Sequence, residues 1–396
     1  MLMDKEPLVK MTLEQRRCEC CGSNDLELVW SNQSVVRRAT STWLFPVRVV
    51  ICRQCGFCFT SPSPAIADLG RYHADGLSGY EGIGLPYSID VRVSMLARYS
   101  APSGVFAEIG GNRPDEFHNH LAGLFGKILN IEVTEDAPAD YRSVAELPTE
   151  SVDVLTHYDV LEHIPNVKYF LFECHRALKE NGVMLCEVPD IRLYPRNLLL
   201  LEFEHVNYFS VTSLAMIAQA CGLQLIELGH ICSRPYGFVA VFRKSRPAHD
   251  HVSSMPFEYM DALACVQGGV AQVQRVLSHI KSLQAKITAL AAHGEKITLW
   301  GVTDLLRRLL ENYRLPDTAI VVDSDPRRKR HLEGEGVPVF LPNDCRDHIV
   351  QSNLLAIFAP RYKTEILEWV KQEKSSIFDM IDVEVIGSGP TGETLI

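Results

Sequence analysis

Residues 151–189, SVDVLTHYDVLEHIPNVKYFLFECHRALKENGVMLCEVP, decide the fold class. Residues 152–155 are a short apolar run ending in a polar, acidic loop at 157–163, and the apolar positions of 169–178 recur at helical spacing. Asn181-Gly182 stops that helix before a second apolar run at 183–188. Strand, helix and strand in this order predict a β-α-β crossover on a parallel sheet. The loop after the first strand then opens at the carboxyl edge of the sheet, where α/β proteins bind their ligands. Asp159 lies in that loop and is a candidate binding residue. An ordinary crossover that binds nothing would carry the same order of elements.

HYDVLEHIPN followed by LKENGVMLCEVP resembles the second half of a class I S-adenosylmethionine-dependent methyltransferase, its fourth strand, acidic loop and fifth strand. The resemblance extends over residues 105–244. It implies an α/β, Rossmann-like class I methyltransferase core that takes S-adenosyl-L-methionine as methyl donor. Upstream, VFAEIGG at 105–111 reads as a first strand running into a tight glycine turn. Glycines let backbone approach the amino acid portion of such a donor, and an acidic side chain meets its ammonium group. One strand later, KILNIEV at 127–133 places Glu132 about twenty residues on, where a carboxylate accepts the ribose hydroxyls. By the family pattern Glu108, Gly110, Glu132 and Asp159 fall on donor-contacting positions. The glycine loop departs from that pattern, continuing Asn112-Arg113-Pro114-Asp115.

The chain of 396 residues is long enough for two or three cores. Its net charge of −10 opposes the basic field that a phosphate backbone needs. Nucleic acid is therefore not the expected partner, and small-molecule chemistry is favoured. No apolar run reaches membrane-spanning length, and the start MLMDKEPLVKMTLEQRR carries charges where a secretory signal is apolar. The expectation is a cytoplasmic protein, monomer or homodimer, with no membrane partner. Thiols stay reduced in that compartment, so the twelve cysteines read as metal ligands or small buried apolar groups.

Cys18-Glu-Cys20-Cys21-Gly22 and Cys52-Arg-Gln-Cys55-Gly56 form two Cys-x-x-Cys-Gly knuckles separated by a segment with strand character. A tight turn lets two thiolates face one ion, and the glycine permits the backbone conformation this needs. Cys18, Cys21, Cys52 and Cys55 are the expected zinc ligands, with Cys20 the alternative to Cys18 or Cys21. Four thiolates leave zinc no open position, so the role is structural.

Glu204-His205-Val206-Asn207-Tyr208-Phe209-Ser210 precedes a helix at 212–221 ended by Gly222. Histidine titrates near neutral pH and an adjacent carboxylate can hold its tautomer, which describes a general base. The alternative is that Ser210 caps the helix while His205 and Tyr208 satisfy local backbone groups. Four-cysteine module, methyltransferase core, this motif and a Rossmann-like end together resemble the sugar C-methyltransferases of deoxysugar biosynthesis. That resemblance implies a nucleotide-linked keto sugar as acceptor, His205 as base, Glu204 beside it and Tyr208 in the pocket. It also implies that Tyr72 or Tyr80 lines the acceptor site. Glu202 stands where the family often has a tyrosine. Alternatives are an O-methyltransferase with the same base, a non-catalytic nucleotide-sugar-binding protein, and a nucleotide-dependent oxidoreductase.

The expected divisions are a zinc-binding module at 1–75, the methyltransferase domain at 76–245, a linker and packing helix at 246–290, and a second Rossmann-like domain at 291–396. In the packing helix Val266, Val270, Val273, Leu277, Ile280 and Ile287 form an apolar stripe interrupted at Gln284. In the last domain 296–300, 319–323 and 354–360 read as strands. Asp323 has the spacing of a ribose-binding acid, yet Gly301 lacks the companions a pyrophosphate needs, which argues against a redox cofactor. The basic run at 327–331 reads as a solvated helical face.

Overall fold

A computed structural model of the chain describes residues 8–37, 41–74, 89–111, 117–134, 137–195, 205–229, 237–247, 256–310, 313–326, 328, 332, 337–373 and 382–386. Within them, one compact unit runs to residue 270 and a second starts at 271.

The first unit opens with strands β1 (Leu8–Lys10), β2 (Leu13–Glu14), β3 (Leu26–Arg37), β4 (Thr42–Cys52), β5 (Cys58–Thr60) and β6 (Ser63–Pro64), then helix α1 (Ile66–Ala74). Trp43, Phe45, Val47 and Val49 alternate inward along β4, the period of a half-buried strand. β3 and β5 flank β4 antiparallel, while β1 joins it parallel.

Helix α2 (Ile89–Ala97) leads into the central sheet: β7 (Ala101–Ile109), β8 (Phe125–Ile131), β9 (Val152–Tyr158), helix α3 (Val167–Ala177) and β10 (Leu178–Pro189). β11 (Asn207–Tyr208), helix α4 (Val211–Ala220), β12 (Leu223–Gly229) and β13 (Gly237–Lys244) complete the unit. The sheet order is β12-β13-β10-β9-β7-β8. β7, β8, β9 and β10 run parallel, and β13 lies antiparallel between β10 and β12. Beyond β8 a single parallel bridge, Ile131 to Tyr141, marks where another strand would pair.

The crossover at 151–189 is present with shifted limits. Asn181 does not end the helix. α3 stops at Ala177, and Asn181, at φ 62°, sits in a bulge of β10 where the register to β9 slips between Leu178 and Val183. Asparagine tolerates this left-handed conformation better than most side chains. Ser210 caps α4 reciprocally with Ser213, as the capping reading expects. β11 does not join the central sheet. It pairs with β5, Asn207 opposite Phe59 and Tyr208 opposite Cys58. The module expected at 1–75 and the domain expected at 76–245 share one core, in which Cys18, Cys52, Phe57 and Phe59 pack with Phe209, Leu214 and the strands of the central sheet.

Helix α5 (Pro256–Ala292) contributes its first part to the first unit and the rest to the second. Its buried apolar row is Ala262, Val266, Val276, Ile280, Leu283 and Ile287, so Val270, Val273 and Leu277 of the expected stripe are only half-buried. Gln284 donates to the carbonyl of Leu309 at 2.9 Å, which explains a polar residue on that face. The second unit holds a parallel sheet of β14 (Ile297–Trp300), β15 (Ala319–Val322), β16 (Val339–Phe340), β17 (Leu354–Ile357) and β18 (Asp382–Val385), ordered β16-β15-β14-β17-β18. Asp323 is spent on the turn after β14, accepting from the backbone N–H of Val302 at 2.7 Å and of Asp325 at 2.9 Å. Of the basic run, only Arg328 is among the described residues, and it donates to the carbonyl of Val302.

His157 on β9 is fully buried, edge-on to Phe170 at 5.4 Å, with neither ring nitrogen hydrogen-bonded among the described residues. Burial pulls its pKa down to about 3. The folded state therefore holds the ring neutral, and acid favours unfolding, because only the unfolded chain takes up that proton. Stability should fall as pH drops from the ordinary histidine value of 6.5 toward 3, by a few kcal/mol on the order of magnitude. In His157→Phe, urea unfolding at pH 7 and pH 4 should show a smaller loss than in wild type; an equal loss rules this out.

Candidate functional site

The two cysteine knuckles are near copies. The N–H of Gly22 donates to the carbonyl of Cys18 at 2.8 Å and that of Gly56 to Cys52 at 2.9 Å, and both glycines have positive φ, 78° and 74°. The Sγ atoms of Cys18, Cys21, Cys52 and Cys55 all lie within 4.8 Å of one another. Across the knuckles Cys18 and Cys55 approach to 3.4 Å and Cys21 and Cys52 to 3.5 Å. A tetrahedral zinc with bonds of about 2.3 Å needs sulfurs about 3.8 Å apart, so this quartet fits the ion. Cys20 is buried beside Cys55 but stands outside the quartet.

The carboxyl edge of the central sheet gathers acidic groups. Gly110, at φ 81°, turns the chain after β7 so closely under the acidic loop that a Cβ there would meet Val160 Cγ2 at 2.7 Å. A Cβ on Gly111 would meet Asn130 Oδ1 at 2.5 Å and Glu108 Oε2 at 2.7 Å. The Asn130 amide braces the turn by donating to the carbonyl of Gly111 at 3.1 Å. Glu108 is buried, with His118 Nε2 at 2.8 Å from Oε2. Glu132 follows β8, and its Oε1 accepts from the Thr134 N–H at 2.9 Å. Asp159 follows β9 in a left-handed conformation, φ 53°. Beneath them Arg92 of α2 pairs with Glu187 of β10 at 2.9 Å and lies over the Tyr158 ring at 3.7 Å.

The His205 segment is tied to this edge by backbone. The Val206 N–H donates to the carbonyl of Glu162 at 2.7 Å, and the buried Asn207 amide donates to Leu161 and Ile164 at 3.0 and 2.7 Å. Arg16, two residues before the first knuckle, closes the arrangement. It donates to the carbonyls of Thr60, Val206 and Pro165 at 3.4, 2.9 and 2.6 Å and to Asn207 Oδ1 at 2.7 Å. Burial lowers its pKa to about 10, so it stays charged at neutral pH. Glu19, inside the knuckle, accepts from the N–H of Lys168 at the start of α3.

His205 is half-buried, its ring 4.9 Å from that of His163 and nearly perpendicular to it. Tyr208 is buried against Tyr194 at 5.6 Å, and burial holds both hydroxyls well above the ordinary tyrosine pKa. Tyr72 of α1 packs edge-on against Trp43 and Phe45 of β4, at 0% exposure. Tyr80, Glu202, Glu204 and the loop at 112–116 lie outside the described residues. Residues that sequence reasoning left without a role are Arg16, His118, Asn130, Glu162, His163 and Asn207. Glu162, His163 and Asn207 stood inside the quoted motifs, whereas Arg16 and Asn130 carry no sequence signal.

Residues 84–228 match a family model described as a methyltransferase domain. The central sheet has the class I methyltransferase fold. The match supports S-adenosylmethionine-dependent methyl transfer as the activity. Similar solved structures include an S-adenosylmethionine-dependent methyltransferase from Mesorhizobium loti, 13% identical over 40% of this chain and 100% of that one, with a TM-score of 0.33. Another is 1,6-didemethyltoxoflavin-N1-methyltransferase from Burkholderia thailandensis, 14% identical over 48% of this chain and 96% of that one, with a TM-score of 0.37. No curated protein sequence matches the chain.

Two substitutions probe this geometry. Gly110→Ala, strained at positive φ and crowded by Val160, should weaken S-adenosylmethionine binding by about tenfold or more; unchanged affinity in calorimetry would remove the turn from the donor site. Arg16→Met should cost on the order of 3 kcal/mol in denaturant unfolding, because charged hydrogen bonds are lost and buried acceptors are stranded. A loss below about 1 kcal/mol would mean that water replaces the guanidinium.

Proposed function

We propose that the protein is an S-adenosylmethionine-dependent methyltransferase that methylates carbon on a nucleotide-linked keto sugar, with His205 as general base. One observation carries this reading: His205 stands at the carboxyl edge of the sheet against the acidic loop, fixed there by backbone hydrogen bonds. Glu108, Gly110, Glu132 and Asp159 form the donor crevice, whose carboxylates suit a ligand carrying ammonium and sulfonium charges.

In the reaction His205 takes the proton from the carbon beside the ketone, and the C–H electron pair becomes the enolate. The enolate carbon forms the new C–C bond as the methyl–sulfur bond breaks, and S-adenosylhomocysteine leaves. The family resemblance assigns Glu204 the place beside this base. Tyr208 supports the pocket from within the core, through Tyr194. Zinc on Cys18, Cys21, Cys52 and Cys55 closes a structural site that fastens the amino-terminal strands.

With candidate keto sugars in deuterated water, NMR should show donor-independent loss of the proton beside the ketone in wild type and a loss at least about a hundredfold slower in His205→Ala. Equal rates would exclude His205 as the base, and a product methylated on oxygen would exclude carbon as the acceptor atom. Metal analysis should find about one zinc per chain, lost in Cys52→Ser together with cooperative unfolding of the first unit. A metal-free wild type that unfolds as cooperatively would contradict the structural role.

A further inference from the structure

Glu162, His163 and His205 form a second cluster of donors, separate from the cysteines. Each offers one ligand atom, and the three atoms lie within 4.8 Å of one another. Glu162 is buried at 1% exposure and both imidazoles are half-buried. Two nitrogens and one carboxylate oxygen bound to an ion at about 2.0–2.2 Å would stand roughly 3–4 Å apart, a spacing that small side-chain rotations reach from here.

The supporting backbone is already fixed. Val206 donates to the carbonyl of Glu162, Asn207 to those of Leu161 and Ile164, and Arg16 braces Asn207. Ligands that converge from two segments need such outer contacts to stay in register.

We infer that Glu162, His163 and His205 bind a divalent transition-metal ion. Two imidazoles and one carboxylate suit Zn(II), Co(II), Mn(II) or Fe(II) rather than the all-oxygen shells of calcium and magnesium. Three protein ligands leave coordination positions open to water or to an oxygen of the acceptor, unlike the closed cysteine quartet. An imidazole nitrogen bound to metal cannot also accept a proton, so the ion and the acceptor's proton compete for His205. Metal occupancy thus decides whether that ring serves as ligand or as base. The inference rests on the cluster alone and does not depend on the acceptor proposed above.

The test uses the full chain with its cysteine site already filled by zinc. Titration with Co(II), followed by calorimetry and visible spectroscopy, should show about one further equivalent with the weak bands of nitrogen and oxygen ligands. Thiolate-to-cobalt charge-transfer bands would instead report exchange into the cysteines and count against the site. His163→Ala and the isosteric Glu162→Gln should each weaken binding more than about tenfold while zinc content and the unfolding midpoint show an intact fold. Absence of a further equivalent in wild type overturns the inference, as does equal affinity in folded variants. Cobalt binding with no deuterium exchange in the zinc-loaded protein before cobalt is added would overturn the proposed reaction and leave the metal site standing.

Discussion

One cation ties the segment before the first cysteine knuckle to β5, to the loop after β9 and to the His205 segment. A guanidinium removed from water is costly unless its donors are matched, and Arg16 matches them with three backbone carbonyls and an amide oxygen. Its plane also lies near the Phe59 ring, 5.1 Å from the centroid. The acceptors belong to β5, to the acidic loop after β9 and to the His205 segment. A planar fork cannot satisfy all of them unless those segments keep one mutual position. Arg16 lies two residues from a knuckle cysteine, so folding of the knuckles and placement of His205 are coupled through a single side chain. β11 completes the sheet that follows the first knuckle, which gives the coupling a backbone component as well.

Much of this was legible in the sequence where a pattern repeats along one element. The parallel strands β9 and β10 are apolar runs because both of their faces are covered. The knuckles announce themselves by cysteine spacing, and Ser210 by its capping position. Limits were less legible, because Asn181-Gly182 ends a helix or forms a bulge with equal local ease, and pairing with β9 decides which. The stripe on α5 was misplaced by part of a turn, since valine and leucine are apolar on either side of a row and only the packing selects Val276 and Leu283 over Val273 and Leu277. Arg16 and Asn207 were illegible for a different reason. Their partners are mostly carbonyls in distant segments, and a carbonyl has no letter in the sequence.

The acidic edge shows how charge is apportioned. Glu108 faces His118, Glu187 faces Arg92, and Glu132 accepts from backbone. Each carboxylate is thereby oriented, and the buried pair at Arg92 keeps the ends of β9 and β10 together beneath the crevice. A cationic donor entering there would meet fixed carboxylates instead of water that must reorganise, which is the condition under which electrostatics contributes most.

His205 carries two proposed roles that share one electrostatic origin. A positive charge beside a carboxylate as buried as Glu162 lowers the cost of holding it ionised. The cluster can meet that requirement with a proton on an imidazole or with a metal ion. In the first case the carboxylate would face the imidazolium that the proposed proton abstraction creates. In the second, the charge is present beforehand and the ring is occupied. Base and ligand are alternative solutions to one electrostatic demand, and the backbone that fixes His205 to the acidic loop serves both.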